Sequence, residues 1–144
     1  MDQNQQPLPQ FFVSYVMDNN VNTIEIPPYY YSWSVTNENG ISIDRTGENF
    51  SHPLDNISNL PTIVLSPNQN ILRLSFSQVP ISYGVQYWNR SLYNNSNYKL
   101  ERNFLQVYDN LISLAGLPED NYVIQINSLW PQGNINYVFH VSYF

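Results

Sequence analysis

The C-terminal stretch of this chain constrains its fold more than any other. Residues 121–144 carry two aromatic and β-branched runs on either side of Trp130-Pro131-Gln132-Gly133-Asn134. A Pro/Gly/Asn cluster between two such runs is the signal of an antiparallel hairpin with a short loop. The second run alternates, with Ile135, Tyr137, Phe139, Val141 and Tyr143 on one face and Asn136, Val138, His140, Ser142 and Phe144 on the other. Successive strand side chains point to opposite sides, so one of these faces is apolar along its length. A lone hairpin is marginal in water. The rest of the chain must therefore supply partner strands and a second layer.

The preceding sequence reads in the same way. Residues 11–17 are apolar and β-prone, and Asp18-Asn19-Asn20 turns them toward Thr23-Ile24-Glu25-Ile26. After Pro27-Pro28 the pattern places Tyr31, Trp33 and Val35 on one strand face, with Trp33 as a core anchor; Asn37-Glu38-Asn39-Gly40 then turns into a short return strand at 41–43. Periodicity disappears over residues 44–61, a long loop packed by Phe50, Leu54, Ile57 and Leu60. Strands follow at 62–65, at 71–77 with Leu72, Leu74 and Phe76 inward, and at 81–88. In the last of these Tyr83, Val85 and Tyr87 share a face, and Trp88 falls on the other, through a bulge. Residues 100–108 fit a helix or a strand; the strand is preferred, turning at Asp109-Asn110 into 111–114. Many short strands at regular spacing with little helix indicate a two-sheet sandwich or a barrel. Residues 1–10 read as a flexible polar tail and residues 11–144 as one domain, a length that supports a core without staples.

Composition removes several function classes. The net charge is -6 with only 5 Lys and Arg, too few to neutralise a nucleic-acid backbone or to form a polybasic membrane patch. With no cysteine there is no disulfide, thiolate metal site or cysteine nucleophile. No window approaches the length of an apolar membrane span, and the first residues lack the basic-then-apolar order of an export leader.

Searching for chemistry gives weak candidates. His52 and His140 are available for a Ser-His-carboxylate arrangement, but no Gly-x-Ser-x-Gly elbow is present. His140, within an alternating strand, reads as a structural or surface imidazole; His52, beside Pro53 in the long loop, reads as a side chain that fixes the loop's path. Asp44 and Glu48 flank a loop that reads better as a solvated turn than as a calcium site. No metal-ligand spacing or phosphate loop occurs, so neither a metal nor a cofactor is expected. The aromatic content of 15% against 11% charged residues is the feature furthest from average. Such rings serve as core filler, contact hot spots or stacking platforms. Tyr29 and Tyr30 beside the proline pair, Tyr93 and Tyr98 among asparagines, and Trp88 and His52 are the candidate binding residues.

Several short motifs recur in a known order: Tyr31-Ser32-Trp33, His52-Pro53-Leu54, Leu72-Arg73-Leu74-Ser75-Phe76 with Pro80, Val85 to Trp88, Tyr122-Val123-Ile124, Trp130, and Tyr137-Val138-Phe139. This order resembles a group of poorly characterised extracellular lipoproteins and surface modules of Gram-positive bacteria. The resemblance implies an immunoglobulin-like antiparallel β-sandwich, export, and tethering through a lipidated cysteine, a residue this sequence does not contain. It brings no established activity and no catalytic residues. The expectation is a non-enzymatic extracellular or cell-surface binding module. Its partner is a protein or a glycan rather than nucleic acid, with membrane attachment only through such an anchor. A carbohydrate-binding domain using exposed aromatics is the alternative, and a small hydrolase stands third.

Overall fold

The computed structural model describes residues 7–47, 51–92 and 102–143. Among these, eleven strands run in chain order: β1 (Phe11–Met17), β2 (Asn20–Ile26), β3 (Pro28–Thr36), β4 (Ser42–Thr46), β5 (Thr62–Leu65), β6 (Ile71–Phe76), β7 (Ser82–Asn89), β8 (Asn103–Leu105), β9 (Leu111–Ser113), β10 (Tyr122–Trp130) and β11 (Gly133–Tyr143). They form two facing sheets. The smaller has the order β2-β1-β6-β9 and the larger the order β4-β3-β11-β10-β7-β8, with β5 added beside β11. Every pairing is antiparallel except β5 with β11. The protein is an all-β sandwich.

Turn chemistry sets several of these registers. Asp18 and Asn19 take φ of 52° and 65° between β1 and β2, the left-handed pair whose twist matches a two-residue hairpin. Asp109 and Asn110 repeat it, at 52° and 60°, between Tyr108 and Leu111. Asp and Asn tolerate this region better than other side chains do. The β10–β11 turn consists of Pro131 and Gln132, with Trp130 facing Gly133 across it. Gly133 has φ 151°, and a Cβ there would strike the carbonyl of Ser32 on β3. Only glycine permits so close a strand contact. The turn is further tied to β3 by the Ser34 N–H, which donates to the Gln132 carbonyl at 2.8 Å.

The core follows from alternation. Tyr122, Ile124, Ile126 and Trp130 of β10 and Ile135, Tyr137, Phe139 and Val141 of β11 face Phe11, Val13, Leu72, Leu74 and Ile112 of the smaller sheet. Rings interlock through this layer: Phe11 lies 4.9 Å from Phe76 and 5.0 Å from Tyr137, and Trp33 lies 6.1 Å edge-on to Trp130. The polar tips in this layer are satisfied, as most buried polar groups are. Tyr137 Oη donates to the Pro9 carbonyl at 2.6 Å, Trp130 Nε1 to Ser128 Oγ at 2.8 Å, and Ser128 Oγ to the Ile135 carbonyl at 2.7 Å. Burial pushes the Tyr137 hydroxyl well above its ordinary pKa.

Three sequence expectations change. Of the strand expected over residues 100–108, the described part, from 102 on, is strand only at β8; the expected turn at Asp109-Asn110 forms, with Tyr108 and Leu111 bonded across it, but β8 and β9 belong to different sheets, so the segment crosses between them. Trp88 reaches the opposite face from Val85 by simple alternation, without a bulge, since β7 pairs with β10 in unbroken register. Residues 7–10, read as the end of a tail, are held against the sandwich: Pro9 is buried, and the Gln10 carbonyl accepts the Ser77 N–H at 2.9 Å.

Because the Gly133 contact sets the β10–β11–β3 register, Gly133→Ala is expected to lower unfolding free energy by about 2–4 kcal/mol. Urea unfolding followed by tryptophan fluorescence would measure it.

Candidate functional site

The outer side of the larger sheet, away from the core, is where the candidate residues gather. Strand pairing lays its side chains out in rows. One row crosses Trp88, Val123, His140 and Thr62 on β7, β10, β11 and β5. The next crosses Phe104, Gln86, Gln125 and Val138 on β8, β7, β10 and β11. A third crosses Gly84, Asn127, Asn136 and Tyr30. A fourth crosses Ser82, Leu129, Asn134 and Ser32.

Trp88, Val123 and His140 of the first row, and Val138, are covered by the chain itself, while Thr62 at the row's end is exposed. Residues 51–61 form two 3-10 turns, Pro53–Asp55 and Ile57–Asn59, and set Leu54 and Leu60 against Trp88, Val123, Val138 and Tyr29 as a second apolar cluster. The cover starts at His52, whose Nδ1 accepts the Leu54 N–H at 3.1 Å and caps the first turn, with Pro53 in the first turn position. The His52 ring then meets Trp88 edge-on, 4.7 Å between centroids. The sequence-level role for His52, fixing the path of the loop, is the one its geometry shows. A bulge in the β3–β11 register between Asn136 and Tyr137 leaves Tyr29 without an opposite residue and brings both Tyr29 and Tyr30 to this side.

Four of the six candidate binding residues, Tyr29, Tyr30, His52 and Trp88, thus meet in one place. Tyr93 and Tyr98 lie outside the described residues, as does Glu48. Tyr29 was expected at the surface. It is instead 8% exposed, with its Oη donating to the Ser51 carbonyl at 2.7 Å, because the covering segment lies over the bulge. Trp88 is also closed off, at 3% exposure. Tyr30 is half-buried and, with Tyr29, His52, Gln125 and Asn136, lines a cavity of about 270 Å³ at the edge of the cover.

Beyond that edge the sheet face is open among the described residues; its central side chains are neutral amides, with exposed Phe104 and Leu129 beside them. Gln125 Nε2 donates to Asn127 Oδ1 at 2.7 Å, and Asn127 Nδ2 donates to Gln86 Oε1 at 3.3 Å. A Cβ added at Gly84 would meet nothing within 4 Å. Gly84, Gln86, Gln125, Asn127 and Asn136 escape a reading of the sequence. Their signal is present all the same: outward positions of central strands that hold uncharged amides, where a merely solvated face usually carries Lys and Glu.

Two buried nitrogens in the covered row have no hydrogen-bond partner, Trp88 Nε1 and His140 Nε2. His140 Nδ1 lies 3.3 Å from Thr62 Oγ1. With its second nitrogen unpaired, the imidazole has no carboxylate to orient it, so this hydroxyl–imidazole pair lacks the third member a hydrolytic triad requires. Burial first, and then the positive charge of Arg90, holds the His140 pKa below its ordinary value. Among the described residues no group of three or more His, Asp or Glu is placed to hold a metal ion.

A second concavity, of about 500 Å³, opens where β6 crosses to β7, between Phe76, Val79, Pro80, Ile81, Tyr83 and Asn110. Val79 and Ile81 are 92% and 62% exposed there, and Tyr83 Oη donates to Asn110 Oδ1 at 2.6 Å. Compared with known proteins, the chain matches no family model, no curated protein and no solved structure.

Two outcomes follow from the covered row. Trp88→Phe removes the unpaired N–H and keeps a ring against Leu54, so its cost is expected to stay within about 1 kcal/mol, against about 3–5 kcal/mol for Trp88→Ala; chemical denaturation separates the two. His140 has a depressed folded-state pKa, so its contribution is fully present above its unfolded value of 6.5 and is lost as pH falls below it. Between pH 6.5 and 5 the wild type should lose more unfolding free energy than His140→Gln, read from urea midpoints across pH.

Proposed function

We propose that this chain is a non-enzymatic binding module acting at an extracellular or cell surface, with the open half of the larger sheet's outer side as its ligand face. One observation carries the reading. Residues 51–61 cover half of that face, and among the described residues nothing lies over the other half, which is lined by Gln86, Gln125, Asn127 and Asn136 and hollowed at Gly84. Solubility alone needs no such arrangement, since ionic side chains serve it better. Oriented amides on a rigid sheet, beside a cavity lined by Tyr30 and His52, give donors and acceptors held in fixed positions.

The low charge and the abundance of Tyr and Asn support a surface setting. The order of motifs that resembles Gram-positive surface lipoproteins supports it further. In that setting the module is held to the membrane through a lipid anchor outside this sequence. The non-enzymatic part of the proposal rests on the two imidazoles, one spent on capping a turn and one lacking a carboxylate.

A protein partner seated elsewhere is the second reading, favoured by Val79 and Ile81 standing exposed beside the cleft at the β6–β7 crossing.

The test uses fluorescently labelled protein on washed Gram-positive cells. Saturable binding is expected, lost in Gly84→Val and retained in Ile81→Asp and in Arg73→Gln on the smaller sheet. Loss in Ile81→Asp alone would transfer the function to the cleft. Binding that never saturates, or that ignores all three changes, would overturn the module reading.

A further inference from the structure

We infer that the ligand of the open face is a neutral oligosaccharide, laid across the strands from Tyr30 to Phe104. This deepens the binding-module reading and rests on it.

The first support is Gly84. It lies inside β7, opposite Asn127, and its backbone has none of the positive φ that would demand glycine. Glycine weakens a strand interior, and where no turn or bulge requires it, it marks a close approach to the backbone by something else. The space above it is empty of protein to 4 Å. A side chain here would stabilise the sheet and fill that space.

The second is the state of the amides. The bonds from Gln125 to Asn127 and from Asn127 to Gln86 fix all three side chains. They leave Gln125 Oε1 as an acceptor and Gln86 Nε2 as a donor, side by side in the row next to the hollow. Asn136, next to Asn127 across the strands, makes no hydrogen bond to another side chain among the described residues. An amide offers donor and acceptor together, and a sugar hydroxyl does the same, so a row of fixed amides matches a run of hydroxyls.

The third is charge and shape. None of the residues in the three open rows is ionic. An ionic ligand would be desolvated here without a counter-charge, whereas a neutral polyol exchanges water for amide hydrogen bonds. Phe104, 62% exposed, and Tyr30 stand at the two sides of the rows. They are four strand spacings apart, about 19 Å. That span suits several linked sugars, whose C–H faces pack on the rings at each end while hydroxyls meet the amides between. A peptide would instead find its backbone partners along an open strand edge.

The experiment is an array of neutral oligosaccharides of increasing length, acidic oligosaccharides and uncharged peptides, followed by calorimetry on the best binder. Neutral oligosaccharides are expected to bind, more tightly with length. Gly84→Val and Phe104→Ala should each lose at least tenfold in affinity, with the Gly84→Val melting temperature unchanged or raised. Circular dichroism and the melting curve keep a folding defect from passing as lost binding. Preference for acidic sugars or peptides, no binding by any neutral oligosaccharide, or neutral binding insensitive to Gly84→Val would each overturn the inference. If these results come while cell binding remains sensitive to Gly84→Val, the ligand class is wrong and the module reading stands; if cell binding is also absent, both fall.

Discussion

The hairpin of β10 and β11 is apolar along its inner side and, at one end, on its outer side as well, and that constraint organises the molecule. Its inner side, from Tyr122 and Val141 to Trp130 and Ile135, is met by the smaller sheet. On its outer side Val123, Val138 and His140 are buried as well. A strand pair facing solvent on one side alternates apolar with polar residues, and one buried on both sides does not. Here the transition falls within single strands. β10 is covered on both sides at Val123 and only inside at Gln125 and Asn127. A second layer is therefore needed at one end of the hairpin and not at the other.

The bulge between Asn136 and Tyr137 meets this demand. β3 serves the edge of β11 from Gly133 to Tyr137, and the chain then leaves through Tyr29 and Pro28; β5 takes the same edge in parallel from His140 to Tyr143. The handover allows residues 51–61 to cross the outer side just where Val138 and Val123 need cover. Tyr29, released from pairing by the bulge, anchors that crossing through its hydroxyl to Ser51. One irregularity thus closes the core at this end and sets the boundary of the open face.

What the sequence discloses follows from how local each cause is. The alternation of Ile135 to Tyr143, the Asp18-Asn19 turn and the inward Leu72 and Leu74 are legible because a few neighbouring residues determine them. That Tyr29 is buried is not legible, since its cover comes from residues more than twenty positions away. Gln86, Asn127 and Asn136 are each ordinary polar residues in sequence. They become a face only when β7, β10 and β11 are placed side by side, in an order that the chain does not spell out. His52 was legible as a loop-fixing residue because capping depends on Pro53 and Leu54 beside it.

Energetics explain why the cover stops where it does. Burying Leu54 and Leu60 stabilises the segment by about 1.5–3 kcal/mol each. Two unpaired nitrogens, on Trp88 and His140, oppose this by about 1–3 kcal/mol each. The margin is narrow even over an apolar row. Further along the sheet, cover would have to lie on Gln86, Gln125 and Asn136, whose remaining donors and acceptors would lose water and gain nothing unless the covering chain matched them group for group. The apolar side chains by which residues 51–61 hold the sheet, Leu54 and Leu60, cannot supply that match. The amides thereby disfavour cover by the apolar side chains of the protein's own segment, and an occupant would gain there only by pairing with them group for group.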